Sequence, residues 1–300
     1  MDTLHQSSYS AWNHIYDYID PIAFEMFGIN VHWYGIAYVS AMLVAFFIAK
    51  AFVKYHNQRF PITQELLDSF FIWVEIGVIL GGRIGYVMIY SPQHRWDYLL
   101  QPWTMFNPYV DGVFVGISGI SYHGALVGFV LAAILFCVVK KQNFFIFMDL
   151  SAISIPLGYV FGRLGNFLNH ELYGREIQSD SFAHHIGILV DGTLRYPSQL
   201  FEAFTEGVVV FIVMILLFKY AKRPGSLLVL YGFLYSLARF SCEFFREADS
   251  QMGYYALGLS MGQILSLVMI GVSVILALIV FLNPSYKAYP QTKHAKRKKR

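Results

Sequence analysis

The sequence has little cysteine: Cys137 and Cys242 are the only two in 300 residues. Both lie in apolar segments far apart along the chain, so they support neither a disulfide framework nor a thiolate zinc site. The histidines lack the four-residue spacing of a helical zinc site, and the aspartates form no cluster of the kind that binds magnesium. We therefore predict that both cysteines serve packing and that the protein uses no metal and no other cofactor.

Charge is also scarce, at 14% of residues, against 56% hydrophobic and 18% aromatic residues. This balance excludes an ordinary soluble domain, and apolar runs of about 20 residues recur along the chain. The first twenty residues have neither a basic start nor an apolar block, so we expect no cleavable signal peptide. The composition predicts a polytopic membrane protein whose first spanning helix directs insertion.

Seven apolar segments begin near residues 31, 66, 119, 144, 200, 226 and 258. They predict an all-α fold with about seven transmembrane helices, and an odd number places the two termini on opposite sides. We predict one transmembrane domain over residues 1–285, with an outer polar segment at about 166–199, followed by a basic tail at 286–300.

The distribution of basic residues predicts the orientation of these helices. No lysine or arginine precedes Lys50, so we expect the amino terminus to lie outside. Fifteen of the twenty-two basic residues then fall on the predicted cytoplasmic side, and seven of these lie in the carboxy-terminal tail. Because this tail follows a spanning segment, we expect it to meet anionic lipid headgroups rather than nucleic acid.

The other seven basic residues are all arginine, and they fall in predicted outer loops or the outer parts of helices: Arg83, Arg95, Arg163, Arg175, Arg195, Arg239 and Arg246. Arginine is preferred where a planar phosphate or carboxylate is held by two parallel hydrogen bonds. If the sixth segment begins near Ser226, Arg239 lies about 20 Å into a core of about 30 Å. The pattern predicts an anion-binding set of arginines near the outer face.

The stretch from Gly162 to Glu176 reads GRLGNFLNHELYGRE and closes the fourth apolar segment. Arg163 and Asn166 are three residues apart and share a helix face, while Gly162 and Gly165 leave room for another group. A charged side chain at membrane depth costs about 2.5–3.5 kcal/mol even on lenient scales, so its default interpretation is functional. The motif predicts a polar site within the membrane.

A second polar group lies in the sixth segment, where Arg239, Glu243 and Arg246 form one stripe at helical spacing. The stripe is consistent with a buried network that holds helices together. It is equally consistent with a carboxylate, Glu243, that orients an arginine toward an anionic ligand. Glu202 and Glu206, four residues apart in the fifth segment, can balance the outer arginines.

His123 is a histidine inside an apolar segment, in the sequence SYHGAL. Histidine is the side chain most readily tuned to exchange protons near neutral pH, but a membrane histidine can also serve as a hydrogen bond between helices. Both interpretations stay open from the residue alone. Asp149 and Glu75 also lie in apolar segments, where their spacing assigns no role and structural pairing is sufficient.

Two other functional classes fit these patterns less well. A membrane anion or lipid transporter would use the arginines as a transient site, but it predicts a polar path to the cytoplasmic face, and the inner halves of the segments carry few ionisable residues. It also predicts paired half-folds with broken helices, which are not apparent. A metal-dependent phosphatidyl-alcohol transferase would need clustered aspartates.

Seven sequence blocks, in order, resemble the prolipoprotein diacylglyceryl transferases of bacterial inner membranes. The blocks are HWYG from His32, LGGRIGY from Leu80, SYHG around His123, GRLGNFLNHELYG from Gly162, YPSQLFE from Tyr196, the Arg239 to Arg246 stripe, and SMGQI from Ser260. The resemblance covers most of the chain. One departure is Tyr196, where many members have histidine, so an essential proton transfer at that position is not expected.

The resemblance implies transfer of the diacylglyceryl group from phosphatidylglycerol to the lipobox cysteine thiol of a prolipoprotein, with release of glycerol 1-phosphate. It implies a multi-pass protein of the inner membrane, with the active site toward the periplasm and with membrane lipids as further partners. The nucleophile belongs to the peptide substrate, which agrees with a packing role for both cysteines.

The resemblance, together with the residue types, also suggests roles at the site. His123 is the candidate base for the thiol proton, and Arg163 and Arg239 are candidates to stabilise the leaving phosphate. Asn166, Asn169 and Glu171 are expected to bind the glycerol head or orient the arginines. Further expected substrate-binding residues are Tyr34, Arg83, Gly174, Glu202, Glu243 and Arg246.

Overall fold

A computed structural model describes residues 9–90, 95–107, 109–110, 113–114, 119–178, 182–247, 253–282 and 289. The chain divides into two compact units, the first formed by Met1–Arg59 and Asp149–Arg300 and the second by Phe60–Met148. The predicted basic tail at 286–300 lies outside the described residues except for Tyr289.

The described part of the chain is mainly helical, as predicted. Its helices are α1 (Trp33–Tyr55), α2 (Gln64–Tyr90), α3 (Arg95–Leu100), α4 (Tyr122–Val139), α5 (Phe144–Leu168), α6 (Ser198–Glu202), α7 (Val210–Leu217), α8 (Ser226–Cys242) and α9 (Met261–Leu282). A π-helical segment, Ala203–Val209, joins α6 to α7 into one continuous helix. The seven long helices begin within a few residues of the seven predicted segments, which confirms an all-α polytopic fold.

Six of these helices are long and apolar enough to cross a membrane. The seventh, α8, has 17 residues, or about 26 Å at the usual rise of an α-helix. It carries Arg239 and continues directly into Glu243, its carboxy-terminal cap. The polar stripe predicted from the sequence therefore lies at the end of the shortest of the seven long helices.

Three small antiparallel hairpins were not predicted. They pair β1 (Ile22–Met26) with β2 (Ile29–His32), β3 (Tyr109–Val110) with β4 (Val113–Phe114), and β5 (Ile188–Val190) with β6 (Thr193–Arg195). The β5–β6 turn is Asp191-Gly192, with φ of 51° and 76°. An Asp-Gly pair between apolar residues is a strong hairpin signal, because both positions require positive φ. The prediction followed the long apolar segments and did not include this hairpin.

In the first unit, small residues allow helices to approach closely. A Cβ atom added to Gly165 of α5 would lie 2.6 Å from Cβ of Ala37 in α1, and one added to Gly158 would lie 2.6 Å from the carbonyl oxygen of Ala41. Such contacts are typical of helix packing in membranes, where close backbone approach replaces hydrophobic driving force. The prediction that Gly165 leaves room for another group is confirmed, whereas Gly162 meets no described atom within 4 Å.

The first unit also contains a buried carboxylate, Asp149, at the amino-terminal end of α8. Its Oδ2 accepts a hydrogen bond from the backbone N–H of Gly225 at 2.9 Å, and its Oδ1 accepts from the N–H of Leu228 at 2.8 Å. The hydroxyl of Tyr289 donates to Oδ2 at 3.1 Å. The first N–H groups of a helix have no partner within it, and its dipole favours an anion there. Asp149 therefore caps α8 from the neighbouring helix α5.

Arg59 completes this cap cluster, which we define as Asp149, Gly225, Leu228, Tyr289 and Arg59. Its guanidinium lies over the ring of Tyr289 at 4.9 Å, and its Nη1 donates to the carbonyl of Phe218 at 2.7 Å. Burial and the neighbouring Asp149 raise the pKa of the Tyr289 hydroxyl, so the hydroxyl stays protonated and remains a donor. The structural pairing expected for Asp149 is thus confirmed.

The second unit is built around close contact between α2 and α4. A Cβ added to Gly81 would lie 2.7 Å from Cα of Gly128, and one added to Gly85 would lie 2.7 Å from Cα of Gly124. Further along these helices the core is aromatic, with the rings of Phe70 and Phe136 at 5.2 Å. Glycine at one end and large rings at the other make the two helices pack tightly at the end that carries Arg83 and His123.

Candidate active site

A buried carboxylate in the first unit is surrounded by arginines. Glu202, at the end of α6, is fully buried, and its Oε2 lies 2.9 Å from Nε of Arg163 in α5. Its Oε1 lies 3.2 Å from Nη1 of Arg239 and 3.2 Å from Nη1 of Arg246. Three guanidinium groups from two helix ends therefore converge on one side chain. The structure confirms that Glu202 balances predicted outer arginines.

Glu243 provides a second carboxylate to the same arginines. It forms an ion pair with Arg239, and Nε of Arg246 lies 3.9 Å from its Oε1. The hydroxyl of Ser260 donates to its other oxygen at 2.6 Å. A Cβ on Gly262 would lie 2.5 Å from Oε1 of Glu243, so glycine there leaves space for the carboxylate. The predicted stripe is therefore one connected cluster.

Glu206 is the third carboxylate, one turn beyond Glu202 in the π-helical segment. It is fully buried, and its Oε1 lies 3.6 Å from Nη1 of Arg239. Tyr159 donates from its hydroxyl to the other oxygen of Glu206 at 2.5 Å and accepts from Nε of Arg163 at 2.6 Å. Sequence analysis missed Tyr159, although it lies four residues before Arg163 on the same face of α5.

We call these six charged residues the arginine network: Arg163, Arg239, Arg246, Glu202, Glu206 and Glu243. The arginine side chains keep 15–20% of their surface exposed, whereas the glutamates keep 0–4%. Buried charges are tolerated when they are paired, and here three cations meet three anions. An anionic group that enters from outside would therefore meet guanidinium groups before it meets carboxylates.

Hydrogen bonding within the arginine network is incomplete. Oε2 of Glu202, Oε1 of Glu206 and Nη1 of Arg239 are buried and form no aligned hydrogen bond with any described residue. Each nevertheless lies within ion-pair distance of an opposite charge. Charges that are close but poorly aligned are typical of a site whose hydrogen bonds tighten when substrate binds. These three atoms are therefore paired by charge and not by an aligned hydrogen bond from a described residue.

The polar chain continues from Arg163 into the loop after α5. Nη1 of Arg163 donates to Oδ1 of Asn166 at 3.4 Å, which confirms that the two share a face. Nδ2 of Asn166 lies 3.5 Å from Oε2 of Glu171, and the backbone N–H of Glu171 donates to the carbonyl of Asn166 at 2.9 Å. Asn169 accepts a hydrogen bond from the backbone of Tyr34 at 3.1 Å. Four predicted substrate-binding residues are therefore arranged beside one arginine.

The loop is held in a tight turn by unusual backbone angles and a buried glutamine. His170 and Leu172 have φ of 56° and 58°, which is uncommon for residues other than glycine. Nε2 of Gln199 donates to the carbonyl of Glu171 at 2.5 Å, and the ring of His170 stacks on Tyr16 at 3.9 Å. Burial lowers the pKa of His170 below its ordinary value, so its neutral form is favoured.

Gly174 and Arg175 connect this loop to the end of α8. The N–H of Gly174 donates to the carbonyl of Tyr196 at 2.8 Å, and a Cβ there would lie 2.7 Å from that oxygen. Arg175 donates from Nε to the carbonyl of Arg246 at 2.8 Å and from Nη2 to that of Glu243 at 3.2 Å. Close backbone packing explains the glycine, and its predicted contact with substrate stays a prediction.

Several of the predicted outer arginines contact acceptors other than the carboxylates of the arginine network. Arg175 binds the last carbonyls of the polar stripe, and Arg195 lies 2.5 Å from Glu247. In the second unit, Arg83 is buried and donates to the carbonyls of Met105 and Gly119. Backbone carbonyls at helix ends and in buried loops need donors, and arginine supplies them. Of the described side chains in the set, only those of the arginine network surround a carboxylate cluster; the side chain of Arg95 lies outside the described part.

His123 lies in the second unit as the second residue of α4. The helix is capped by Ser121, whose hydroxyl accepts from the N–H of Gly124 at 3.3 Å. The His123 side chain is exposed, and its ring lies edge-on to that of Tyr122 at 5.8 Å. The ring is therefore accessible to a substrate. The expectation that it converges with Arg163 and Arg239 stays a prediction.

The polar groups of the described residues have no arrangement typical of a metal site. Among the residues that the structure describes, no three histidine, cysteine, aspartate or glutamate side chains are grouped so that they could hold a metal ion. The glutamates of the arginine network face guanidinium groups instead. Cys137 and Cys242 are free and buried, and Cys242 lies 2.9 Å from the hydroxyl of Thr205. The absence of a cofactor remains a prediction.

Comparison with known proteins gives consistent matches over most of the chain. Residues 21–279 match the family model described as prolipoprotein diacylglyceryl transferase. A relative from Helicobacter hepaticus, named phosphatidylglycerol–prolipoprotein diacylglyceryl transferase, is 72% identical over 292 residues, covering 97% of this chain and 99% of the relative. Relatives of the same name from Campylobacter lari and Helicobacter pylori are 56% and 54% identical, covering 86% and 88% of this chain and 92% and 93% of their own length.

Proposed function

The chain belongs to the prolipoprotein diacylglyceryl transferase family, and we propose that it transfers the diacylglyceryl group of phosphatidylglycerol to the lipobox cysteine thiol of prolipoproteins. Glycerol 1-phosphate is the other product. The observation that carries this proposal is the arginine network. It presents three partly exposed guanidinium groups, fixed by buried carboxylates, at the ends of apolar helices.

The proposed reaction is a displacement at carbon. The cysteine sulfur of the prolipoprotein attacks the glycerol carbon of the diacylglyceryl group, and a carbon–sulfur bond forms as the carbon–oxygen bond to phosphate breaks. The electron pair of the broken bond stays on the phosphate oxygen, and the thiol proton passes to a base. The leaving phosphate therefore gains negative charge, which is the change that the protein has to stabilise.

Arg163 and Arg239 are the proposed groups for that stabilisation. Both lie within ion-pair distance of the buried Glu202, so their guanidinium groups are kept beside the site before substrate arrives. Donors fixed in advance favour the transition state over the ground state, because no reorganisation is needed when charge develops. Removing one such donor typically costs about 3–4 kcal/mol of barrier. Arg246, which also binds Glu202, and Glu243 support the same arrangement.

The loop after α5 supplies the proposed contacts to the headgroup. Asn166, Asn169 and Glu171 offer amide and carboxylate groups beside Arg163, and these can bind the hydroxyls of glycerol. Asn169 also fixes the start of α1 at Tyr34, whose side chain is 44% exposed. The polar loop would therefore distinguish a glycerol headgroup from an apolar or bulky one.

His123 is the proposed base. A free thiol has a pKa of about 8.5, so only a few per cent is thiolate near pH 7, and a general base typically contributes about 10²–10⁴-fold. The exposed imidazole at the start of α4 has the chemistry for this step. If His123 positions lipid instead, raising the pH will not restore the activity of a variant that lacks it.

The test uses purified protein, phosphatidylglycerol and a lipobox peptide, with a chelator present throughout and the peptide product detected by mass. Wild type is compared with Arg239→Lys and His123→Gln, and Arg195→Lys serves as the control because Arg195 pairs with the exposed Glu247. We expect wild type and Arg195→Lys to add the diacylglyceryl mass. Arg239→Lys should lose about 10²–10³-fold while remaining folded, because lysine cannot form the arginine fork.

The outcomes separate the alternatives. Recovery of His123→Gln at higher pH supports the base, and continued inactivity at every pH contradicts it. Full activity of Arg239→Lys would remove the arginine network from the mechanism. A wild-type protein that forms no adduct but moves phosphatidylglycerol between leaflets would be a transporter.

We also propose that the arginine network faces the periplasm in the inner membrane. Support comes from Lys219 and Lys222, which precede α8 at the end remote from Arg239, because lysines are enriched on the cytoplasmic side. Glu25, in β1 just before α1, and Lys222 are both exposed. A cysteine at position 25 should react with an impermeant maleimide in spheroplasts, and one at position 222 should react only after lysis. The reverse pattern would invert the proposed orientation.

A further inference from the structure

The side chain of Tyr159 connects a cation on its own helix to an anion on another. Its hydroxyl oxygen accepts from Nε of Arg163 at 2.6 Å, and its proton is donated to Oε2 of Glu206 at 2.5 Å. Hydrogen bonds to charged groups are about twice as strong as neutral ones. One hydroxyl therefore ties Arg163 of α5 to a fully buried carboxylate of the helix that follows Glu202.

Glu206 faces both arginines of the proposed mechanism. It reaches Arg163 through Tyr159, and its Oε1 lies 3.6 Å from Nη1 of Arg239 in α8. The other groups near it are Glu202, one turn earlier on the same helix, and Cys242 of α8. Glu206 thus joins two guanidinium groups that come from different helices.

The backbone at this point is unusual in a way that supports the connection. Ala203–Val209 is π-helical, a form taken by well under 1% of residues and frequent at functional sites. A Cβ on Gly207 would lie 2.5 Å from Cγ2 of Val160 and 3.2 Å from the carbonyl oxygen of Pro156. Glycine at 207 therefore lets this segment approach α5 closely, which makes the short bond between Tyr159 and Glu206 possible.

We propose that Tyr159 and Glu206 are positioning residues that hold Arg163 and Arg239 in the orientation needed to receive the leaving phosphate. This inference rests on the proposed function. An arginine side chain has several rotatable bonds, and the single N–H of Nε of Arg163 is donated to Tyr159, while Oε2 of Glu202 lies 2.9 Å away as a counter-charge. Loss of the hydroxyl leaves the charge of Arg163 in place but frees its direction. The transition state should therefore suffer more than the binding of substrate.

The test measures kcat and KM for phosphatidylglycerol, with the thermal midpoint, on full-length Tyr159→Phe, Glu206→Gln and their double variant. Thr205→Val is the matched control, because Thr205 precedes Glu206 in the same π-helical segment and its hydroxyl bonds to the carbonyl of Phe201. We expect Tyr159→Phe to lower kcat about tenfold or more and to change KM less than about threefold, as loss of a charged hydrogen bond predicts. Thr205→Val should keep kcat within about twofold.

The double variant tests whether the two residues act through one connection. If they do, its kcat should lie within about twofold of the weaker single variant, because the same contact cannot be lost twice. Losses that multiply, or a Tyr159→Phe variant that keeps kcat and loses only thermal stability, would overturn the inference. If Glu206→Gln does not fold, the kcat of Tyr159→Phe decides alone.

Arg239→Lys, run in the same series, separates this inference from the proposed function. If Arg239→Lys loses activity and Tyr159→Phe keeps it, positioning by Tyr159 is wrong and the arginine mechanism stands. If Arg239→Lys keeps full activity, both fail. Loss of kcat in both variants, with the control unaffected, supports both.

Discussion

The first unit contains two buried carboxylate clusters at opposite ends of α8, and they are built differently. In the cap cluster, Asp149 accepts two backbone N–H groups and one hydroxyl, at 2.8–3.1 Å. In the arginine network, the glutamates face arginine side chains, and Oε2 of Glu202 and Oε1 of Glu206 form no aligned hydrogen bond with a described residue. Both oxygens of Asp149 therefore accept hydrogen bonds, whereas one oxygen of Glu202 and one of Glu206 have only a nearby opposite charge.

This difference indicates how a buried charge in a membrane helix can be assigned to structure or to chemistry. A carboxylate satisfied by backbone donors at a helix terminus stabilises that terminus, and nothing remains to bind a ligand. A carboxylate shared among several arginines instead fixes cations whose own surfaces stay partly exposed. We therefore expect substitutions in the arginine network to lower transfer activity and substitutions in the cap cluster to lower stability.

The largest effect is expected from Arg163→Lys at the arginine network. The charge is kept, but one ammonium cannot replace the planar group that contacts Tyr159, Glu202 and Asn166. Transfer should fall about 10²–10³-fold, with little change in the thermal midpoint. Peptide mass and a detergent melting curve measure both quantities. A variant that melts far below wild type would remove the distinction between the two ends.

Asp149→Asn should give the opposite pattern. One carboxylate oxygen becomes an NH₂ group that faces the N–H of Gly225 or Leu228, so a buried donor loses its acceptor. We expect a loss of about 1–3 kcal/mol in stability, with transfer per folded molecule within about twofold of wild type. Asp17→Asn, at an exposed residue, is the control and should change neither quantity. A specific loss of transfer would place Asp149 in the reaction.

Tyr289→Phe should have a smaller effect at the same end. It removes one hydrogen bond to Asp149 and leaves the two backbone donors in place. The expected cost is about 1 kcal/mol. In combination with Asp149→Asn the two losses should not add, because both changes act on the same carboxylate and its shared donors. Additive losses would show that Tyr289 stabilises the protein through its ring contact with Arg59 instead.

The smallest expected effect is on the pH dependence of stability, which should be similar for a buried histidine near either cluster. Burial lowers the pKa of His170, in the loop beside the arginine network, and burial with the charge of Arg59 lowers that of His56. A histidine with a lowered folded-state pKa contributes stability that is full above its ordinary value of about 6.5 and is lost as the pH falls below it. Between about pH 7.5 and about pH 5.5, the thermal midpoint should therefore fall less for His56→Gln or His170→Gln than for wild type. Equal slopes would show that neither histidine is linked to folding.

Much of the arginine network was accessible from the sequence because spacing of three or four residues is enough to define a helix face. Arg239, Glu243 and Arg246 were predicted as one stripe, and Arg163 with Asn166 as another, and the contacts confirm both. Tyr159 has the same spacing relative to Arg163. It was not predicted, because tyrosine is common in apolar segments and the prediction rested on charged residues.

Contacts between residues of different helices or loops could not be predicted from spacing in this way. Nothing in the sequence near Asp149 indicates that its acceptors face Gly225 and Leu228, more than seventy positions later. Likewise, Arg175 and Arg195 resemble Arg163 in sequence, but one binds carbonyls at the end of α8 and the other a surface glutamate. An arginine in the sequence can donate several hydrogen bonds, but only its surroundings in the folded protein determine which acceptors it binds.

The sequence by itself determined the membrane-spanning helices, because apolar runs of sufficient length have no other stable state in a bilayer. It also determined the family, through motifs that keep their order along the chain. The tertiary structure decided which of the polar residues within those helices meet. Helix packing brings Glu202 to three arginines and Asp149 to a helix terminus, and these distant contacts divide the buried charges into the arginine network and the cap cluster.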